Sequence, residues 1–372
     1  MKFQIEKQDL LKILSDINGA VEKKNTIPIL SNVKLDITDN LLSVVGTDMD
    51  IFVTSTTQVK DATNGSTTIS AQLFFDIVKK IPDDKLINVV LNEDNTILAI
   101  NYDNSEFKLP CIDVSQFPEI SQTDMSTNFT INAINLAQMI DRTKFAIASD
   151  ETRHYLNGIF MHSHEHSGEI QLRFVATDGH RMSMAINSKI ENLQDVIDGV
   201  IIPKKTISEL RRIISGKNDN VEVELSKSKI KFQIGNAIII SKLIDGQFPE
   251  YEKVIPKNND KSINVNKKTL FDAVDRVATI ANDRHKSIKF VVGDEKISLN
   301  VKTNDGSFAN EEIPVNYNDQ SVEIGFNSRY LLEIINNSSE DELNIKFQGS
   351  MVPVIISGKE DTGLYVIMPI RI

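Results

Sequence analysis

The sequence predicts an α+β protein made of three tandem copies of one domain, and three observations carry that reading. The first is repetition. Thr47-Asp48, which follows Val45-Gly46, returns as Thr177-Asp178 after Val175-Ala176 and more loosely as Thr303-Asn304-Asp305 after Val301-Lys302. The segment Ile112-Asp113-Val114-Ser115-Gln116-Phe117-Pro118-Glu119 returns as Ile244-Asp245-Gly246-Gln247-Phe248-Pro249-Glu250. The interval far exceeds the roughly 20–50 residues of a solenoid unit and matches a domain of about 100–150 residues. The expected domains are 1–122, 127–248 and 249–372. The second observation is helical periodicity at two matching places in each third. The third is alternation between them, in runs rich in Val, Ile and Thr.

The first helix of each copy is expected at roughly 7–24, 133–149 and 266–284. Leu10, Leu11, Leu14, Ile17 and Val21 recur at helical spacing in the first, as do Leu270, Phe271, Val274, Val277 and Ala278 in the third. The second helices are expected at roughly 71–81, 203–214 and 327–338. Pro203 suits a first helical position, where its missing N–H costs nothing, and Asn327 and Ser328 offer N-caps. Strands such as Val221–Leu225 and Lys229–Phe232 alternate strictly, as half-buried antiparallel strands do. Asn64-Gly65 and Asp305-Gly306 are hairpin-type turn signals. Each copy therefore reads as antiparallel sheet with helices packed on one side.

Composition bounds the function. With 40% hydrophobic and 25% charged residues, each third can build its own core. No apolar run approaches the roughly 20 residues of a membrane span, and Met1–Glu6 alternates like a strand rather than a signal peptide. A single cysteine, Cys111, excludes an internal disulfide and a Cys-based zinc site, and a reducing cytoplasm is the simplest compartment. The formal net charge of −11 argues against nucleic acid if taken globally. Its distribution reverses that. The six expected helices hold 17 Lys/Arg against 10 Asp/Glu, while the remainder holds 24 against 42. Solvated helix faces favour Lys for its helix propensity alone; the sharper reading is that all six helices share one basic face, with an acidic exterior that repels DNA elsewhere.

Longer motifs carry a resemblance. Tyr155-Leu156-Asn157-Gly158, Val175-Ala176-Thr177-Asp178-Gly179-His180-Arg181-Met182, Ser241 through Tyr251 and the terminal Tyr365-Val366-Ile367-Met368-Pro369-Ile370-Arg371-Ile372 resemble the bacterial replicative sliding clamps, the beta subunits of DNA polymerase III. Met1-Lys2-Phe3 and Ile27-Pro28-Ile29-Leu30 fit as well. The resemblance runs from first residue to last. It implies three clamp domains per chain, antiparallel sheets outside and two helices per domain inside. Two chains would join head to tail as a homodimeric six-domain ring around duplex DNA, without sequence specificity. The ring would tether the DNA polymerase III catalytic subunit, raising its effective concentration at the primer end. A clamp loader and other polymerases and repair proteins with clamp-binding motifs are further implied partners; no cofactor and no membrane are expected.

The resemblance also assigns residues. Leu156, Thr177, Gly179, His180, Arg181, Met182, Pro249, Lys253, Val254, Met351, Pro353, Val366, Met368, Pro369, Ile370 and Arg371 match positions of a hydrophobic pocket for short linear partner motifs. Methionines suit such a pocket because they repack for different ligands. Read alone, Thr177–Met182 is a strand ending in a tight turn, with Gly179 supplying unusual dihedrals. Leu364, Val366, Met368, Ile370 and Ile372 alternate like a core strand, while Pro369 argues for an edge strand that walls a groove. DNA contacts are implied for Lys24, Arg153, Tyr155, Lys204 and Lys205. Lys24 stands where arginine is frequent and lacks its planar fork. The dimer contact is implied for Phe107 and Leu109 against Ile280 of the partner, with a small Ala281 beside it.

Two features point elsewhere and are weighed down. His162-Ser163-His164-Glu165-His166 has period-two histidines that could face one metal, but Ser167-Gly168 marks a hairpin tip and the family has no metal there, so none is expected. Asp178 and His180 lack a nucleophile, and no Gly-x-x-x-x-Gly-Lys-Ser/Thr loop is present; no catalytic residue is expected, and ring opening must rely on a separate loader. The competing readings are a three-domain protein adaptor that never surrounds DNA and, more distantly, an enzyme.

Overall fold

The computed structural model describes residues 1–22, 26–120, 125–193, 196–281, 286–359 and 362–372, with Glu151 described by its backbone alone. The elements repeat three times. The first copy runs β1 (Lys2–Glu6), α1 (Lys7–Ile17), β2 (Asn32–Thr38), β3 (Leu41–Thr47), β4 (Ile51–Gln58), β5 (Lys60–Thr63), β6 (Gly65–Ser70), α2 (Ala71–Lys80), β7 (Leu86–Leu91), β8 (Ile97–Tyr102) and β9 (Ser105–Ile112). The second runs β10 (Thr127–Asn132), α3 (Ala133–Thr143), β11 (Gly158–His166), β12 (Glu169–Thr177), β13 (Arg181–Asn187), β14 (Val200–Pro203), α4 (Lys204–Ile213), β15 (Asn220–Leu225), β16 (Lys229–Ile234) and β17 (Ala237–Lys242). The third runs β18 (Lys261–Asn266), α5 (Lys267–Ala278), β19 (Ser287–Gly293), β20 (Lys296–Lys302), β21 (Phe308–Pro314), β22 (Val322–Asn327), α6 (Ser328–Asn337), β23 (Glu342–Phe347), β24 (Val354–Ser357) and β25 (Gly363–Ile367). Only β5 breaks the parallel.

Local chemistry sets the helices where the periodicity places them. In α1, Leu10, Ile13, Leu14 and Ile17 are buried along one stripe, and in α5 Leu270, Ala273, Val274 and Val277 are. Asn327 caps α6 by accepting from the N–H groups of Arg329 and Tyr330, and Asn266 caps α5 through Thr269; such a cap is worth about 1 kcal/mol. Ser328 is already helical, and Pro203 closes β14 instead of opening α4. The first helices end earlier than the periodicity suggests. Beyond Ile17, the guanidinium of Arg212 donates to the carbonyls of Ser15 and Asp16 at 2.6 Å each, satisfying orphan acceptors of the last turn. A Cβ at Gly19 would collide with the Glu209 carboxylate that holds Arg212. The tail of that apolar pattern, Val21, is buried without being helical.

Hydrogen bonding joins the strands into three sheets. One has thirteen strands in the order β10-β15-β16-β17-β4-β3-β2-β6-β9-β8-β7-β1-β5, one has eight in the order β14-β11-β12-β13-β25-β24-β23-β18, and one has four in the order β21-β20-β19-β22. The described chain divides into two compact units, one gathering Met1–Ile134 with Lys205–Leu243, the other Asn135–Ile190 with Val196–Lys204 and Ile244–Ile372. The cut passes through the middle copy because each of its sheets continues into a neighbour. In the first unit, β17 pairs antiparallel with β4, Ile239 opposite Val53 and Ser241 opposite Ile51. In the second, β25 pairs with β13, Ile367 opposite Arg181 and Val366 opposite Met182.

Two turn expectations separate here. Asp305-Gly306 closes the β20–β21 hairpin, with Gly306 at φ 90°. Asn64-Gly65 closes no hairpin: β5 pairs with β1 and β6 with β2. The glycine is needed because Met1 packs about where a Cβ would stand. The C-terminal strand is also corrected. β25 lies between β13 and β24, an interior strand, and Pro369 follows its end. The chain then crosses to the four-stranded sheet, where Ile370 N–H donates to Gly325 O at 2.9 Å. Alternation alone read this strand correctly; the proline signal was displaced because it sits in the crossing.

Candidate partner pocket and interfaces

The repeated Thr-Asp motif is a turn-locking device. Thr177 Oγ1 donates to Arg181 O at 2.7 Å, and Asp178 Oδ1 accepts from the N–H groups of His180 and Arg181 at 2.9 and 3.0 Å. Asp48 accepts in the same way from Asp50 and Ile51, and Asp305 from Ser307. A carboxylate is suited because it can accept from several backbone donors that a turn leaves unpaired. Gly179 takes φ 89°, and Nη1 of Arg153 lies 2.9 Å from where its Cβ would be. In the first copy Met49 holds φ 81° at the same place, a strain of about 1–3 kcal/mol for a residue with a Cβ.

Above this turn the second unit gathers most of the predicted pocket. Leu156, Met182 and Val366 are buried in one cluster with Val175, Phe248 and Tyr251. His180 O accepts the N–H of Met368 at 2.9 Å, and the Met368 side chain remains 37% exposed. The register that sets Val354 against Ile367 carries Pro353 alongside Met368. Pro249, Lys253 and Val254 flank buried Tyr251 on the loop and short 3-10 turn that follow, with Val254 exposed and Lys253 paired to Glu250. Met351 is exposed in the turn before β24. Ile370 and Arg371 run on beside β22 with the chain's crossing.

Arg181 departs from the expected role. Alternation puts it on the opposite face of β13 from Met182. It is 7% exposed, pairs with Asp178 at 3.1 Å and Glu333 at 2.5 Å, and donates to Phe145 O at 2.7 Å. The rings of Phe145 and Tyr330 flank its guanidinium at 5.0 and 4.5 Å. It locks α6 to β13 beneath the pocket and lines no groove. Tyr330, which also stacks on His180, was not singled out from sequence; its position on the helix repeat gave no chemical signal.

A second unanticipated group supports the floor. Phe160 stacks on Phe248 at 4.7 Å and on His162 at 5.0 Å, and Nε2 of His162 meets the Tyr251 hydroxyl at 2.9 Å. Burial holds the His162 pKa below the usual histidine value and pushes the Tyr251 pKa up. His162 is thus half-buried in a structural contact, while His164 and His166 are exposed toward the tip formed by Ser167 and Gly168, both at positive φ. Among the described residues no three His, Cys, Asp or Glu side chains converge to hold a metal.

The predicted DNA residues differ in their local surroundings. Lys24 lies outside the described residues. Lys204 opens α4, its N–H donating to Asn157 O at 3.0 Å. Lys205 pairs with Asp48 at 2.5 Å and is 38% exposed, so much of its charge is answered locally. Arg153 pairs with Asp150 at 3.2 Å over the Gly179 turn, and Tyr155 packs against the Leu156 cluster beside the Gly246 turn. The six helices, counted over their observed lengths, keep 13 Lys/Arg against 8 Asp/Glu.

Among the strand sides left without a neighbouring strand in the described residues, two stand at places that the repeat pairs in the other junctions. β21 ends its sheet beyond β20. β9 pairs through residues 105–110 with β8 alone, and only Cys111 and Ile112 reach β6. Phe107 is 37% exposed and stacks on Tyr102, whereas Leu109 is buried opposite Leu98. Ile280 is half-buried against the third copy's core, and Ala281 lies within it. Phe308, on the open strand, is 63% exposed. It escaped the sequence reading because a lone Phe after Gly-Ser reads as hairpin filling.

Comparison with known proteins identifies the family. Family models for the N-terminal, central and C-terminal domains of the DNA polymerase III beta subunit match residues 1–121, 130–250 and 252–371. The beta sliding clamp of Caulobacter vibrioides is 37% identical over 373 residues, and that of Escherichia coli K12 is 31% identical over 377, each match covering the full length of both chains. The crystal structure of a sliding clamp from Bartonella birtlesii bound to griselimycin superposes with a TM-score of 0.95 at 37% identity over the whole of both chains. A griselimycin-bound clamp from Pseudomonas aeruginosa does so at 0.95 and 33%. No helix among the described residues is long and apolar enough to cross a membrane. The chain belongs to the family of DNA polymerase III beta subunits, the bacterial sliding clamps, non-catalytic processivity factors of DNA replication.

Proposed function

We propose that two copies of this chain close head to tail into a six-domain ring that encircles duplex DNA, without reading its sequence, in the cytoplasm. The ring would hold the DNA polymerase III catalytic subunit, and in turn other polymerases and repair proteins, through the pocket around Leu156, Met182, Val366 and Met368. The observation that carries this reading is a missing joint. The fold has three copies, taken as 1–122, 127–248 and 249–372, and among the described residues two copy-to-copy strand pairs. β4 meets β17 and β13 meets β25; their counterparts β21 and β9 are left open. One protomer's β21 against the partner's β9 completes the series. Carrying the two known registers across the repeat sets Ser307 opposite the partner's Leu109, Phe308 opposite the partner's Lys108 and Ala309 opposite the partner's Phe107. Closure removes both exposed edges.

The helices keep their surplus of positive charge in a chain that is acidic overall, which supports weak phosphate contacts suited to sliding. A clamp loader would open the ring, since the chain has no nucleotide-binding loop. The deciding experiment is retention on nicked circular DNA followed by linearisation. Loss of the protein from the new ends is expected; retention on linear DNA would overturn encirclement. Charge reversal at Lys204 and Lys205 should flatten the salt dependence of loading; an unchanged slope would remove both from the DNA face.

A further inference from the structure

We propose that the first junction, between β4 and β17, carries a second peptide-docking groove. Its ligand is an extended segment that inserts one apolar side chain and follows it with an acidic residue. The proposal rests on the reading of the second junction as the partner pocket. A cavity of about 150 Å³ lies here, within the first unit, lined among others by Met49, Asp50, Phe52, Pro118, Ile240 and Lys242. The internal repeat maps these onto the partner pocket. Met49 stands at the place of Gly179, Asp50 at that of His180, Phe52 at that of Met182 and Pro118 at that of Pro249. Ile240 takes the place of Val366 and Lys242 that of Met368. The backbone agrees: Lys242 N–H donates to Asp50 O at 2.9 Å, as Met368 N–H does to His180 O at 2.9 Å.

The ligand follows from what changed. The floor stays apolar through Phe52 and Ile240, and exposed Met49 can close over an inserted side chain. The volume suits one such side chain and falls below the roughly 300–1,000 Å³ of a small-molecule site. The rim has become charged. Lys242 and Lys229, also at the cavity, are direct cross-strand partners on β17 and β16, and like charges opposite each other are unfavourable. Asp50 answers Lys242 at 2.9 Å, with both side chains largely in water, so that pair is weak and exchangeable. A ligand carboxylate beside the anchor would take Asp50's place on Lys242. Glu119 stands at the Pro118 end of the cavity, which sets the direction: the acidic residue points toward the strands and away from Glu119.

The test titrates a fluorescent synthetic octapeptide with a central Leu followed by Asp against the full chain. Wild type should show a strong and a weak class, each at one site per chain. Met368→Asp should remove the strong class and leave the weak one, and adding Lys242→Glu should remove that too. Changing the peptide's Asp to Lys should weaken the residual class at least tenfold in the Met368→Asp protein. Lys242→Met, which keeps the stem and the fold, should retain anchoring but lose the acidic preference. If Met368→Asp abolishes all binding up to millimolar peptide, the second groove does not exist while the partner pocket stands. If Lys242→Glu removes the strong class and Met368→Asp does not, the partner-pocket reading itself falls, and with it this proposal.

Discussion

The joint between β4 and β17 and the joint between β13 and β25 have the same backbone and different side chains. Both are antiparallel, both follow a turn whose Asp accepts two N–H groups, and both are closed by the same inter-strand hydrogen bond. In the first, the clasp is Lys205 on Asp48, partly in water, with Arg212 over the end of α1. In the second it is Arg181, buried between two carboxylates and two aromatic rings. With the second clasp buried on one face of β13, the opposite face carries the apolar Met182, beside Val366. The first keeps Asp50 and Lys242 outside. The backbone decides that there is a joint; side-chain chemistry decides whether it is a hydrophobic pocket.

The comparison would be broken most severely at the third joint, the one proposed between chains. Phe308→Asp puts a charge on the open strand β21, and the dimer dissociation constant is expected to rise a hundredfold or more, about 3 kcal/mol, read by analytical ultracentrifugation. An unchanged dimer would remove β21 from the interface. Next in size is the difference between the clasps. Arg181→Ala strands two carboxylates and should cost about 3–5 kcal/mol in urea unfolding, whereas Lys205→Ala should cost under about 1 kcal/mol. Equal losses would mean that burial does not distinguish the joints. Met368→Asp should leave the dimer intact and lower affinity for a peptide with Leu and Phe anchors at least tenfold, about 1.4 kcal/mol; calorimetric titration of the free dimer avoids any loss through the loader.

The smallest expected effect is a pH dependence confined to the second joint. Burial lowers the His162 pKa in the folded state, so the unfolded chain binds the proton more readily. The stability this provides is full above the ordinary histidine pKa and is lost as pH falls toward the folded value. Unfolding midpoints measured downward from neutral pH should therefore fall more in wild type than in His162→Asn. Parallel curves would show that the bond to Tyr251 is indifferent to protonation. The first joint has Ile120 where Tyr251 stands and should show no such difference.

Much of this protein was legible in its residues. The triplication, the helix starts and the alternation of the strands are local or periodic properties, set by side-chain spacing and backbone preference. Leu156, Met182 and Val366, named from long ungapped motifs, meet in one buried cluster. What escaped depended on partners far away in sequence. Asn64-Gly65 has hairpin chemistry, yet Met1 and two separate strand pairings decide its conformation. Pro369 signals an edge, yet the chain leaves the sheet before reaching it. Arg181 belongs to the pocket motif, but its place in the alternation turns it toward Glu333, 152 residues on. Lys205 is a cation on a helix until Asp48 is found beside it. Sequence by itself determined the repeat and the faces of each element, because those need only neighbours along the chain. Tertiary structure alone decided which charges are answered and which strand edges stay open, because both depend on which distant segments meet.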